Sequence, residues 1–142
     1  MNRRNFLTLS CKLCTLSGSA LSFSFLLNSC SSILTYKVTA SSNIISVPLT
    51  AFGPEETKKI IRTEDMKYDI LLLNLPLKEP YAILMKCTHI ENRIFVTNTG
   101  FSCNLHGSRF LTDGSVVQGP ATEPLQRFKV LRNENSLDIY LT

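Results

Sequence analysis

An all-β fold, a small sandwich or barrel, is what this 142-residue sequence predicts. Three observations point there. Short runs of aliphatic and β-branched residues recur along the chain, turn residues punctuate them, and no segment shows a convincing helical apolar period.

Residues 44–49 (Ile-Ile-Ser-Val-Pro-Leu) open the series and are closed off by Gly53-Pro54. A short strand follows at 59–62, then 68–73 (Tyr-Asp-Ile-Leu-Leu-Leu), which is apolar on both faces and reads as a central strand. Leu75-Pro76 and Glu79-Pro80 break the chain before the run at 81–86. There Ile83-Leu84-Met85 reads as core. A strand at 94–96 ends at the turn signal Asn98-Thr99-Gly100, and Asp113-Gly114 marks another turn. Residues 127–132 alternate, so that Phe128 and Val130 face the core while Arg127 and Lys129 face water; 137–141 complete the set. Lys58-Lys59 read in the same way, as a solvated strand face.

The chemistry is concentrated in two short loops. The chain has two histidines, and both follow a cysteine closely, in Cys87-Thr88-His89 and Cys103-Asn104-Leu105-His106. Thiolate and imidazole are the soft and borderline ligands a protein has, so two such pairs can clamp one metal ion or a small cluster. A structural zinc site is the competing reading of these four residues, since two cysteines and two histidines make a tetrahedral zinc shell. Zinc fingers usually set both histidines together on a helix, whereas here each loop supplies one ligand of each kind.

The second pair continues as Gly107-Ser108-Arg109-Phe110, then Asp113-Gly114, then Gly119-Pro120-Ala121-Thr122-Glu123-Pro124-Leu125. This pattern resembles the Rieske iron-sulfur family, in which a C-x-H loop and a C-x-x-H-G-S loop hold a [2Fe-2S] cluster and a third, Gly-Pro loop covers it. The resemblance runs in family order from Cys87 to Leu125. It implies that Cys87, His89, Cys103 and His106 are the cluster ligands and that Gly119-Pro120 belongs to the cover loop. It also implies a small cluster-binding β subdomain over about 85–125, inserted in a base made by the flanking strands. Ser108 is implied as a donor to a bridging sulfide. Histidine ligation raises the potential to about −150 to +300 mV, against about −400 mV for all-cysteine plant-type clusters. Such a site contains no nucleophile or general base, so the expected activity is one-electron transfer, alone or as a subunit of an oxidoreductase.

Two departures from the respiratory type stand out. There a further cysteine follows the first histidine by three positions, another directly precedes the second histidine, and the two join in a disulfide; here the positions are Asn92 and Leu105, so that bridge cannot form. The respiratory type also has a tyrosine two residues after the serine, and here it is Phe110. With Ser108 kept and the tyrosine hydroxyl absent, an intermediate potential is expected.

The amino terminus carries a second signal. Met1-Asn2-Arg3-Arg4-Asn5-Phe6-Leu7 sets Arg3 and Arg4 ahead of an apolar stretch at 13–27, which reads as a twin-arginine (Tat) export signal peptide. That route carries folded proteins, which suits a cofactor inserted before export. The stretch ends in Leu27-Asn28-Ser29-Cys30, which looks like a lipobox with Cys30 lipidated and 1–29 removed. An uncleaved membrane-spanning anchor is the alternative, because no charge falls between Lys12 and Lys37; serines at 17, 19, 22 and 24 make it a mediocre span. The expected organisation is therefore a signal peptide at 1–29, a lipidated Ser/Thr-rich tether at 30–43 and one domain at 44–142.

Cysteine use and charge agree with this division. Cys11 and Cys14 fall in the signal, Cys30 takes the lipid, and Cys87 and Cys103 take the cluster, which leaves none for a disulfide. The first 29 residues hold three of the 15 basic residues and no acid, so the mature chain is close to neutral and has no phosphate-binding stripe; no nucleic-acid partner is expected. The expected place is the outer face of the cytoplasmic membrane, between a donor and an acceptor redox protein, with quinol among the candidate donors. Three family roles stay open: quinol oxidation in a cytochrome bc-type complex, the small subunit of a molybdenum oxidase, and a ferredoxin-like carrier. A structural zinc-binding or metal-free lipoprotein acting as a binding module is the reading from another class.

Overall fold

The structure, a computed structural model, describes residues 33–39 and 43–142. Arg3, Arg4, Cys30 and the expected signal peptide lie outside the described residues. Eleven strands are present among those described. In order they are β1 (Thr35–Lys37), β2 (Ile44–Pro48), β3 (Lys58–Arg62), β4 (Ile70–Leu73), β5 (Tyr81–Leu84), β6 (Phe95–Thr97), β7 (Gly100–Ser102), β8 (Arg109–Leu111), β9 (Val116–Gln118), β10 (Arg127–Arg132) and β11 (Ser136–Tyr140). The only helical turn among the described residues is a single 3-10 turn at Leu49–Ala51.

Seven strands form a curled half-barrel sheet in the order β1-β3-β4-β5-β10-β11-β2. Its neighbours pair antiparallel, except β1 and β3, which run parallel. Between β5 and β10 the chain leaves this base and builds a second, four-stranded sheet, β6-β7-β8-β9. The inserted subdomain implied by the resemblance is thus present.

Alternation along β4 explains why that strand is apolar on both sides. Leu71 and Leu73 pack with Ile83, Met85, Phe101 and Phe110 in a core shared with the inserted sheet. Ile70 and Leu72 turn the other way, into a core with Ile45, Val47, Ala82, Phe128, Leu137 and Ile139 inside the curled sheet. A strand covered on both faces has no use for alternating polar residues. In β10, Phe128 and Val130 are buried while Arg127 and Lys129 are exposed, as the alternation requires. Arg127 also lies over the Tyr81 ring, 4.3 Å from its centroid.

Two expectations need correction. The segment read as a flexible tether contains β1, whose residues Thr35, Tyr36 and Lys37 pair with Ile60, Ile61 and Arg62. Threonine and tyrosine favour an extended edge, and Tyr36 and Val38 pack against the inner core. Lys59 is not on a solvated face, being only 4% exposed. Its ammonium donates to the Ala51 carbonyl, pairs with Glu56 at 2.8 Å and sits 5.3 Å from the Phe52 ring centroid. Burial of that charge is offset by three partners drawn from one local turn.

The base is clamped beside the inserted sheet by Asp69. Arg62 donates to both of its oxygens, at 2.8 and 2.7 Å, and Arg93 approaches at 3.8 Å from the far side. Arg62 chiefly, with Arg93, holds the Asp69 carboxyl below its ordinary value against the opposing effect of burial. A carboxyl depressed in the folded state stabilises above its unfolded value, and that contribution is lost as pH falls through the folded one. Asp69→Asn is therefore expected to weaken the fold at neutral pH and to flatten the acid limb below about pH 5. Denaturant midpoints of the two proteins followed from neutral to acid pH check this: parallel curves would remove Asp69 from the account.

Candidate metal centre

Three loops of the inserted part of the chain meet, joined by side-chain hydrogen bonds. The first, 87–92, leaves the base after β5; the second, 103–108, joins β7 to β8; the third, 119–125, follows β9. Each is shaped by its own backbone. Cys87 N–H donates to Asn92 O at 2.8 Å, closing the first loop into a turn. Cys103 N–H donates to Ser108 O at 2.8 Å and Gly107 N–H to Cys103 O at 3.0 Å, closing the second. Gly107 takes φ +81°, where a side chain is strained, so the Gly after His106 lets the loop turn back toward β8. In β7, a Cβ on Gly100 would lie 2.0 Å from the Phe110 carbonyl oxygen, so only glycine lets β7 and β8 approach this closely.

The four sequence-predicted ligands lie on these loops, and they separate into two pairs. Cys87 and Cys103 are buried, 1% and 2% exposed, within the core shared by the two sheets. His89 and His106 are exposed, with ring centroids 5.1 Å apart and planes at 81°. Two thiols and two imidazoles are soft and borderline donors, the residue types suited to hold a metal ion or a small cluster.

The polar surroundings suit a negatively charged group. Burial pushes the Cys103 thiol up, but donation from the Asn92 amide, the Leu105 backbone N–H and the His106 backbone N–H brings it below its ordinary value. Asn92 Nδ2 lies 3.4 Å from Cys103 Sγ. Ser108 is fully buried, and its Oγ accepts from Ala121 N–H at 3.0 Å. An oxygen that accepts there keeps its own hydrogen free to donate inward. Phe110, also buried, brings no hydroxyl to the site. Gly119 and Pro120 lie exposed at the rim, joined by a cis peptide, and Ala121 turns inward behind them.

Cross-links between the loops include residues that the sequence did not single out. Thr88 Oγ1 donates to Glu123 O at 2.7 Å, joining the first loop to the cover loop. Ser108 joins the second loop to the cover loop. Asn92 joins the first loop to the second, through Cys103 and through Asn104 Oδ1 at 3.3 Å. Thr88 stands between two ligands and could have been suspected from that position; Asn92 registered only as a missing cysteine.

Comparison with known proteins follows the same line. The family model described as Rieske [2Fe-2S] domain matches residues 50–129. The chain is 51% identical to the cytochrome b6-f complex iron-sulfur subunit 3 of Nostoc sp. (strain PCC 7120 / SAG 25.82 / UTEX 2576), a match that covers 42% of this chain and 42% of that protein. The chain thus spans less than half the length of that curated relative. Among solved structures it is similar to the cyanobacterial plasma membrane Rieske protein PetC3 from Synechocystis PCC 6803, with TM-score 0.55 and 22% identity over 67% of this chain and 97% of that one. It is also similar to a chain of a hyperthermophilic respiratory Complex III, with TM-score 0.51 and 18% identity over 94% and 90%. At these identities the two structures speak for the fold.

Proposed function

Because this chain belongs to the Rieske [2Fe-2S] family and so carries a [2Fe-2S] cluster, we propose that Cys87 and Cys103 hold one iron and His89 and His106 the other, in a protein that passes single electrons between a donor and an acceptor. The observation that carries this reading is the pairing of two buried thiols with two exposed imidazoles. When bound, the cluster supplies a one-electron couple at a potential raised by its histidine ligands. The protein's own residues set its surroundings. Cys87 and Cys103, embedded among Met85, Ile94, Phe101 and Phe110, keep water from the thiolate side. His89 and His106 face outward, so a docked partner meets the imidazole edges first.

Two exposed apolar side chains stand beside the imidazoles. Ile90 is 40% exposed and Leu105 54%, each beside a ligand histidine. Such a pair favours a partner that buries it and excludes water at the contact. Among the three family roles, the cytochrome b6-f relative favours a cytochrome bc-type assembly with quinol as donor and a redox protein as acceptor. The molybdenum-oxidase role has only elimination behind it. Ser108 tunes the cluster through its free hydroxyl hydrogen, while Phe110 withholds a second donor.

Membrane tethering is part of the same proposal. Arg3 and Arg4 direct export and Cys30 carries the lipid, which puts the domain on the outer face of the cytoplasmic membrane; no helix among the described residues is long and apolar enough to cross a membrane. The Synechocystis neighbour is a plasma membrane Rieske protein, which supports this placement.

Three outcomes are expected. The purified full chain contains two irons and two sulfides and, after dithionite reduction, gives the rhombic paramagnetic resonance of a histidine-ligated cluster; a colourless protein with stoichiometric zinc would instead establish the structural reading. Redox titration finds Ser108→Ala lower and Phe110→Tyr higher than the parent protein by tens of millivolts, on the scale where about 59 mV is a tenfold change in a one-electron ratio. An unmoved Phe110→Tyr midpoint removes Phe110 from the tuning. A Cys30→Ala chain stays unprocessed and unacylated, and membrane-bound, normally processed variant protein would defeat the lipobox.

A further inference from the structure

Asn92 is held at the meeting point of the two ligand loops by its own backbone. Its carbonyl accepts from Cys87 N–H at 2.8 Å and its N–H donates to Ile90 O at 2.6 Å, so one of the ligand residues fixes where the Asn92 side chain begins. That side chain has two N–H donors, and both are used across the gap to the second loop: one toward Cys103 Sγ at 3.4 Å, the other toward Asn104 Oδ1 at 3.3 Å. Cys87 and Cys103 are both free of disulfide bonds, and no other side-chain hydrogen bond joins these two loops among the described residues.

We propose that Asn92 is a positioning and tuning residue: its amide raises the reduction potential by donating to the sulfur of Cys103, and the same group orients the first loop against the second. The inference rests on the cluster reading above. Its physical basis is a difference between two redox states. Adding an electron puts more negative charge on the ligand sulfurs, and a donor aimed at one of them binds the reduced state more strongly than the oxidised one. The bond is short of solvent competition because Cys103 is buried and Asn92 half-buried. An amide is neutral, so it polarises the sulfur without adding a charge that the apolar core would have to desolvate.

The two tasks of the amide can be separated by substitution. Asn92→Leu removes the donor to sulfur and the tie to Asn104 together, whereas Asn104→Leu removes the tie and leaves the sulfur donor in place. The full-length chain and both variants are titrated with paramagnetic resonance detection, after iron and sulfide have been quantified in each. At the parent midpoint, Asn92→Leu is expected to shift the ratio of reduced to oxidised protein roughly three- to tenfold toward oxidised, tenfold being about 59 mV. Asn104→Leu is expected to stay within about twofold.

An unchanged midpoint in a fully loaded Asn92→Leu overturns the proposal. So does an equal shift in both variants, which would make the effect one of loop geometry alone. Where Asn92→Leu fails to load, Asn92→Ala, uncharged and without the donor, takes its place. If neither loads while Asn104→Leu does, the proposal is also overturned, because Asn92 is then a residue needed to build the site and not one that tunes it. Absence of iron and sulfide from the parent chain is a separate result that defeats the cluster reading itself.

Discussion

The site depends on one constraint: three loops must be held together by a sheet whose strands are three residues long. Strands that short cannot hold a loop by pairing alone, since β6, β7 and β8 each contribute a register of three residues. Two devices supply what is missing. Cys87 and Cys103 are themselves part of the hydrophobic core that the inserted sheet shares with β4 and β5. Above them, each pair of loops is joined by one polar side chain, Thr88 to the cover loop, Ser108 to the cover loop and Asn92 to the second ligand loop. The core fixes the height of the thiols, and the cross-links fix the spacing of the loops that carry them.

This division decides which features were legible in the sequence. The base strands were readable because each has the signature of its environment: alternation in 127–132, where one face is wet, and unbroken apolar residues in 70–73, where both faces are covered. The inserted strands β7, β8 and β9 carry no such signature. Gly100-Phe101-Ser102 and Arg109-Phe110-Leu111 contain a single inward phenylalanine each, and three residues are too few for a period to appear. Their existence was legible only through the motif that surrounds them. Lys59 was misread because its partners, the Ala51 carbonyl and Phe52, reach it through the 3-10 turn at Leu49–Ala51, a contact that strand alternation does not encode. Strand β1 was missed since its single partner, β3, lies about 25 residues on and pairs in parallel.

Within the candidate site, motif spacing singled out the two cysteines and two histidines and left the cross-links unnamed. The reason is chemical. A ligand has to be cysteine or histidine, so its type and spacing survive as a pattern. A cross-link needs only some donor and some acceptor within reach, and backbone groups serve as well as side chains: Thr88 bonds to a carbonyl, Ser108 accepts from a backbone N–H. Such residues become visible only when distances are known.

A site closed by hydrogen bonds differs energetically from one closed by a covalent bridge. A net hydrogen bond contributes about 0.5–1.5 kcal/mol and a disulfide typically about 2–4 kcal/mol. Three cross-links together therefore match roughly one disulfide, provided all three form at once. Their cooperation is built into the geometry, because the cover loop receives two of them and the second ligand loop takes part in two. Losing Ser108 or Asn92 leaves a partner in a buried residue unsatisfied while the other cross-links still hold the loop near, so the loss falls mainly on local order. The arrangement also leaves the donors free to do what a disulfide cannot. A disulfide holds loops but offers no hydrogen to sulfur, whereas the Asn92 amide and the Ser108 hydroxyl hold loops and still present N–H or O–H toward the centre they enclose. On the proposed reading, closure and tuning reside in the same few atoms, and a change made for one is felt by the other.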